Sequence, residues 1–78
     1  MEAIEVTAKI DESGKVYPLH FRWQGQNYPV LSTGRQWADP DGRHVLVMIP
    51  GERVFELLLH AADGIWYLQP PPEGPAFI

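Results

Sequence analysis

Histidine titrates near neutral pH and binds divalent metals through its ring nitrogens, and this chain of 78 residues has three, His20, His44 and His60. They fall in separate apolar runs at spacings that match no compact ligand motif, so the sequence assigns them no shared metal or general-base role. Ser13, Ser32 and Thr33 lie near turn-forming stretches, without the G-x-S-x-G context that activates a hydroxyl. Asp39 and Asp41 flank Pro40 just before Gly42, which is turn chemistry; a calcium loop needs more oxygen ligands at ordered spacing. The sequence has no cysteine, which removes disulfides, thiolate zinc sites and cysteine nucleophiles together, and it has no phosphate-cradling glycine pattern. The expectation is a protein that is not an enzyme and carries no cofactor and no metal.

Binding chemistry has better candidates. The stretch FRWQGQNYPV, residues 21 to 30, brings Phe21, Trp23 and Tyr28 close together around one glycine, next to Arg22. Exposed rings beside cations stack nucleobases, and Arg22, Arg35 and Arg43 are the cations that would serve such a surface. The charge balance opposes it: six Lys or Arg against ten Asp or Glu give −4, with the cations scattered singly. Nucleic-acid binders usually gather theirs.

Length and composition set the frame for these residues. A chain this short forms one domain with a modest core. The first residues, Met1 to Ile4, have neither a basic n-region nor an apolar h-region, and no apolar run reaches membrane-spanning length. Together with the missing cysteines, this reads as a soluble cytoplasmic chain with no membrane partner.

Turn residues recur at short intervals: DESG at 11–14, QGQN at 24–27, ADPDG at 38–42, IPGE at 49–52 and ADG at 62–64. Between them lie strand-length runs rich in Val, Ile, Phe, Tyr and Trp, and no window shows a capped pattern of helical period. The expected fold is all-β: five to six antiparallel strands forming a small SH3-like barrel or strongly bent meander sheet over residues 1–69, followed by a proline-rich tail, 70–78.

Register follows from placing apolar residues opposite one another, because a one-residue slip turns every side chain to the wrong face. A Gly25-Gln26 turn sets Trp23 against Tyr28 and Phe21 against Val30. An odd Pro50-Gly51-Glu52 loop sets Val47 against Phe55 and Val45 against Leu57. An Asp63-Gly64 type I′ turn sets Ala61 against Trp66 and Leu59 against Leu68. The N-terminal run alternates Ile4, Val6, Ala8 and Ile10 with polar residues and reads as an edge or closing strand. Pro29 belongs on an edge or at a bulge. The expected core is Val6, Ala8, Leu19, Phe21, Trp23, Tyr28, Val30, Val45, Val47, Ile49, Phe55, Leu57, Leu59, Trp66 and Leu68. Trp37 closes one end from a long connection. On this reading the aromatic cluster is chiefly core, not a platform.

The same register leaves Leu46, Met48, Val54, Glu56, Leu58 and Tyr67 on the opposite face, with His44 and His60 at its margin. That much apolar surface calls for a cover: the N-terminal strand, the tail, or a partner. Leu46, Met48, Leu58 and Tyr67 are therefore the candidate partner-binding residues of a module acting by protein contact, either with a second copy or with another protein. Nucleic-acid binding through Arg22, Arg35 and Arg43 is the alternative. The tail QPPPEGPAFI reads either as a peptide ligand for another molecule, or as a segment that folds back or remains loose.

Pro18, Phe21, Trp23, Gly25, Tyr28 and Val30, then Trp37, Val54-Phe55-Glu56-Leu57 and Trp66-Tyr67-Leu68, together form a pattern. It resembles a small uncharacterised bacterial domain with a P-x-x-F-x-W-x-G-x-x-Y-x-V opening and a W-Y-L ending. That domain occurs alone or appended to Y-family translesion polymerases and their inactive relatives. The resemblance spans roughly residues 16 to 69 and implies an accessory module near DNA repair, with no catalytic residues to transfer. Where the usual versions cluster arginines between the first tryptophan and the tyrosine, this chain has Gln24, Gln26 and Asn27.

Overall fold

The structure is a computed structural model that describes residues 2–69; the tail at 70–78 lies outside the described residues. Among the described residues seven strands make one sheet: β1 (Glu2–Ile10), β2 (Val16–Trp23), β3 (Gln26–Pro29), β4 (Ser32–Asp39), β5 (Gly42–Ile49), β6 (Arg53–His60) and β7 (Trp66–Gln69). Their spatial order is β3-β2-β1-β7-β6-β5-β4, every ladder is antiparallel, and the sheet curls into an open half-barrel. The all-β, bent-sheet expectation holds, with seven strands in place of five or six. Among the described residues no helix is long and apolar enough to cross a membrane.

The directions of the ladders explain how the half-barrel is held. Because β1 is antiparallel to both β2 and β7, β3 and β4 run the same way and continue into one another through Val30 and Leu31. Successive amides of a strand point to opposite sides. Val30 N–H donates to Leu19 O on β2 at 2.9 Å, and the next amide, Leu31 N–H, donates to Met48 O on β5 at 2.7 Å. One extended segment is thus handed from β2 to β5, and the two nominal sheet edges are its two halves. Past the handover, β2 and β4 diverge, and the gap is spanned by a side chain. The Gln36 amide accepts from Val16 N–H at 3.2 Å and donates back to Val16 O. Pro18, two residues on along that side of β2, has no N–H to continue a ladder.

Replacing Gln36 with leucine keeps the bulk and leaves both polar groups of the buried Val16 backbone unpaired, so it should cost about 1–3 kcal/mol. Chemical denaturation would show this as a lower midpoint with an unchanged slope. A midpoint equal to wild type would mean that the seam is held elsewhere.

The core lies on the concave face: Phe21, Val45, Val47, Ile49, Phe55, Leu57 and Leu68 are buried, with Ile4, Val6, Trp23, Tyr28, Val30 and Trp66 packed against them. The rings form a connected set: Phe21 stacks on Tyr28 with centroids 5.5 Å apart and meets Phe55 edge-on at 5.9 Å, while Trp23 meets Phe55 at 5.5 Å. The stretch FRWQGQNYPV is mainly a folding element.

Several expectations are corrected. The β2–β3 turn is Gln24-Gly25, not Gly25-Gln26. Both residues take positive φ, 50° and 75°, as a type I′ turn needs, and the pairing is Phe21 with Tyr28 and Trp23 with Gln26. The β6–β7 connection is the four-residue loop Ala61–Gly64, closed by His60 N–H on Ile65 O, with positive φ at Gly64 alone; Leu59 therefore faces Trp66 and Leu57 faces Leu68. Both slips are of two residues, so every side chain keeps its face. The odd loop Pro50-Gly51-Glu52 is as expected, with Val47 opposite Phe55 and Val45 opposite Leu57.

Of the two places expected for the N-terminal strand, the edge fails and the closing position holds: β1 sits in mid-sheet and joins β2 to β7. Pro29 does lie in an outermost strand. Trp37 lies within β4, opposite His44, and does not cap the barrel from a long connection. Leu19 is not core. A bulge in β2 opposite Thr7–Ala8 puts Leu19 and His20 outside in succession, so inward positions are Val16 and Pro18 before it and Phe21 and Trp23 after it.

Candidate functional site

The convex face of β5, β6 and β7 carries two clusters of interacting titratable groups. β5 directs Val45 and Val47 into the core, so His44, Leu46 and Met48 point the other way. His44 lies opposite Trp37 of β4 and Leu58 of β6, and Leu58 lies opposite Tyr67 of β7. His44 is only 6% exposed. Its Nε2 is 2.8 Å from Asp39 Oδ2 and its Nδ1 is 2.9 Å from Glu56 Oε2. The Trp37 ring lies flat on it, centroids 5.1 Å apart and planes 1° from parallel, and the Arg35 guanidinium sits over Trp37 at 5.9 Å.

The other carboxylate oxygen of Asp39, Oδ1, accepts the Asp41 and Gly42 amides and shapes the β4–β5 turn. The close His44 contact and these backbone amides hold the Asp39 carboxyl below the usual aspartate value. Burial pushes His44 down, but the close contacts and charge attraction of Glu56 and Asp39 outweigh it, and its pKa lies above the ordinary 6.5.

A second cluster closes the β6–β7 loop. Asp63 Oδ1 accepts the Ile65 amide at 2.9 Å and lies 3.2 Å from His60 Nδ1, while Tyr67 donates its hydroxyl to Asp63 Oδ2 at 2.8 Å. His60 meets the Tyr67 ring edge-on. Chiefly through the Ile65 amide, the Asp63 carboxyl is held low, and its acceptance of the Tyr67 hydroxyl raises the tyrosine. These bonds fix a loop.

The four partner-binding candidates do not share one exposure. Leu58 is fully buried and Leu46 nearly so, whereas Met48 and Tyr67 are half-buried. The three arginines stand on three strands: Arg22 on β2 opposite Glu5 and Asn27, Arg35 at the irregular part of β4, and Arg43 on β5 opposite Ala38 and Leu59. His20 is exposed on β2, away from the other two histidines. Asp39 is the turn former expected, Asp41 offers its carbonyl to Ala61 N–H, and Ser13 is bound to Asp11 within its own turn.

The exposed apolar surface lies where the sequence did not point. Leu19 is 49% and Leu31 62% exposed. They flank the handover: Leu19 O takes the Val30 amide, and Leu31 follows Val30 directly and donates to Met48 O. Backbone hydrogen bonds thus bring Leu19 and Leu31 close together at the handover, with the exposed Pro29 alongside; Val30 packs against the core and Met48 points to the convex face of β5. The other exposed large apolar side chains, Ile10 and Ile65, sit at the end of β1 and in the β6–β7 loop. The sequence held little signal for this surface, because the segment after Leu31 lacks the alternation of a half-buried strand.

No protein-family model, curated protein or solved structure matches the chain.

Proposed function

We propose that the protein is a non-catalytic binding module that engages protein through the exposed leucines at the strand handover, self-association being its simplest form. The observation that carries this reading is the adjacency of Leu19 and Leu31, two large aliphatic side chains about half exposed across one shared segment. Scattered exposed leucines are ordinary, but contiguous apolar surface marks contact sites. Pro18 and Pro29 deprive this region of amide donors, which discourages strand addition and leaves side-chain packing as the mode of contact. Met48, a candidate from the sequence, is half-buried beside the handover, where its carbonyl accepts the Leu31 amide. Its flexible thioether suits an adaptable surface.

Dilution of the isotopically labelled protein from millimolar to micromolar tests this reading residue by residue. The methyl resonances of Leu19, Leu31 and Met48 should shift with concentration, while those of Leu57 and Val45 stay fixed. Shifts confined to Ile10 and Ile65 would place the contact elsewhere and count against the proposal.

A further inference from the structure

We propose that His44 is a charged clasp joining the β4–β5 hairpin to β6, and that loss of its proton loosens that end of the half-barrel. The clasp goes beyond the binding surface proposed above and does not depend on it.

Hydrogen-bond inventory decides the charge of the ring. A neutral imidazole has one N–H donor and one lone pair, whereas the imidazolium has two donors. Carboxylate oxygens lie 2.8 Å from Nε2 and 2.9 Å from Nδ1; the Glu56 contact on Nδ1 is a hydrogen bond, and the Asp39 contact on Nε2 is a close ion pair outside hydrogen-bond alignment. With a neutral ring, one of these contacts would set a nitrogen lone pair against an anionic oxygen in a site that water barely reaches. With the imidazolium both contacts are attractive, and the face of Trp37 adds a cation–π contact.

The partners come from both neighbouring strands, Asp39 at the end of β4 and Glu56 on β6, so the proton links three strands. The other charged or titratable groups near the ring are Arg35, over the Trp37 ring, and His60 on the same face of β6, itself bound to Asp63. Burial opposes the ring's charge, but two anions against one cation hold the proton above the ordinary histidine value.

Loss of the proton leaves Asp39 and Glu56 facing a ring that can satisfy only one of them. Asp39 also shapes the turn before Gly42, so its release reaches the Trp37 stack and the hairpin end.

The direction of the pH dependence is fixed by this arrangement. A group whose pKa is raised by folding contributes stability that is complete below its unfolded value, here 6.5, and is lost as pH rises through the folded value. Asp39 is lowered, so its contribution is present above 3.8 and is lost as pH falls through its folded value. The clasp is therefore strongest between 3.8 and 6.5.

Nitrogen-15 and ring-proton spectra of the full chain across a pH titration test the clasp directly. At pH 6 both ring nitrogens of His44 should be protonated, the midpoint should exceed 6.5, and the Trp37 ring signals should move with that midpoint. Asp39→Asn and Glu56→Gln should each lower the midpoint, and Thr7→Ser, distant from the ring, should not. The wild-type titration needs no variant to fold. A singly protonated ring at pH 6, or Trp37 signals indifferent to the His44 titration, would overturn the proposal.

Discussion

Replacing Gly42 with alanine is expected to be the most damaging single-methyl change in the chain. Gly42 opens β5 with φ at 146°, where side chains are strained. A Cβ there would enter the Leu59 carbonyl oxygen and stand 2.9 Å from the Ala61 nitrogen. Both obstacles are backbone and cannot rotate away. Ala61 N–H is, moreover, bound to Asp41 O at 2.8 Å, so the displaced segment would break a bond that ties the β4–β5 turn to the end of β6. Overpacking and backbone strain together should cost on the order of 3 kcal/mol or more. A domain of this size loses about 4–8 °C of melting temperature per kcal/mol. The expected result in a thermal melt is a drop of roughly 12 °C or more, or no cooperative transition at all. A variant melting within about 2 °C of wild type would show that β5 does not pass this close to β6.

The second large effect is Phe21→Ala. Phe21 has no exposed surface and sits between Tyr28 and Phe55 at the centre of the ring cluster. Truncation removes buried area and leaves a cavity that rigid neighbours do not fill, a cost of about 3–5 kcal/mol. The informative partner is Leu19→Ala, two residues earlier in the same strand. Simple alternation would put both inside, but the bulge places Leu19 in solvent, so its truncation should change stability by no more than about 0.5 kcal/mol. Urea denaturation of the two variants measures the bulge as well as the core. Equal losses would contradict the register of β2.

These two leucine and phenylalanine positions show how far the sequence carries. Facing was legible: Phe21, Val45, Val47, Phe55, Leu57 and Leu68 were all expected inside and all are buried there. Period-two alternation depends on parity, so the two-residue slips at Gln24-Gly25 and in the Ala61–Gly64 loop left each side chain on its expected face. What parity cannot see is an inserted residue, and the β2 bulge is one.

β4 was also missed, for a different reason. Its segment, STGRQWAD, pairs on one side only, exposes half of its residues and carries little β-branched or aromatic content beyond Thr33 and Trp37. An edge strand of that kind lacks the alternation that marks a half-buried one. Once β4 is recognised, the placement of Trp37 on His44 follows.

The polar site was legible only as separate residues. Asp39 read as a turn former and His44 as marginal to an apolar face, and both descriptions are accurate. Their union with Glu56 comes from β5 lying between β4 and β6, a fact of pairing that no spacing in the chain announces. Leu46 and Leu58, in part of the face that the sequence offered to a partner, are buried, while Leu19 and Leu31 at the handover are exposed where a partner can reach them.

Sedimentation equilibrium of the wild-type chain and of the Leu19→Lys, Leu31→Lys double variant tests that contact surface most directly. Two lysines at exposed positions should leave folding intact and set like charges against one another in any symmetric contact. The expected result is a wild-type mass that rises above 8.9 kDa with concentration, and a double variant that stays at the monomer mass. A wild-type chain that remains monomeric to millimolar concentration, or a double variant that associates as strongly as wild type, would contradict the account.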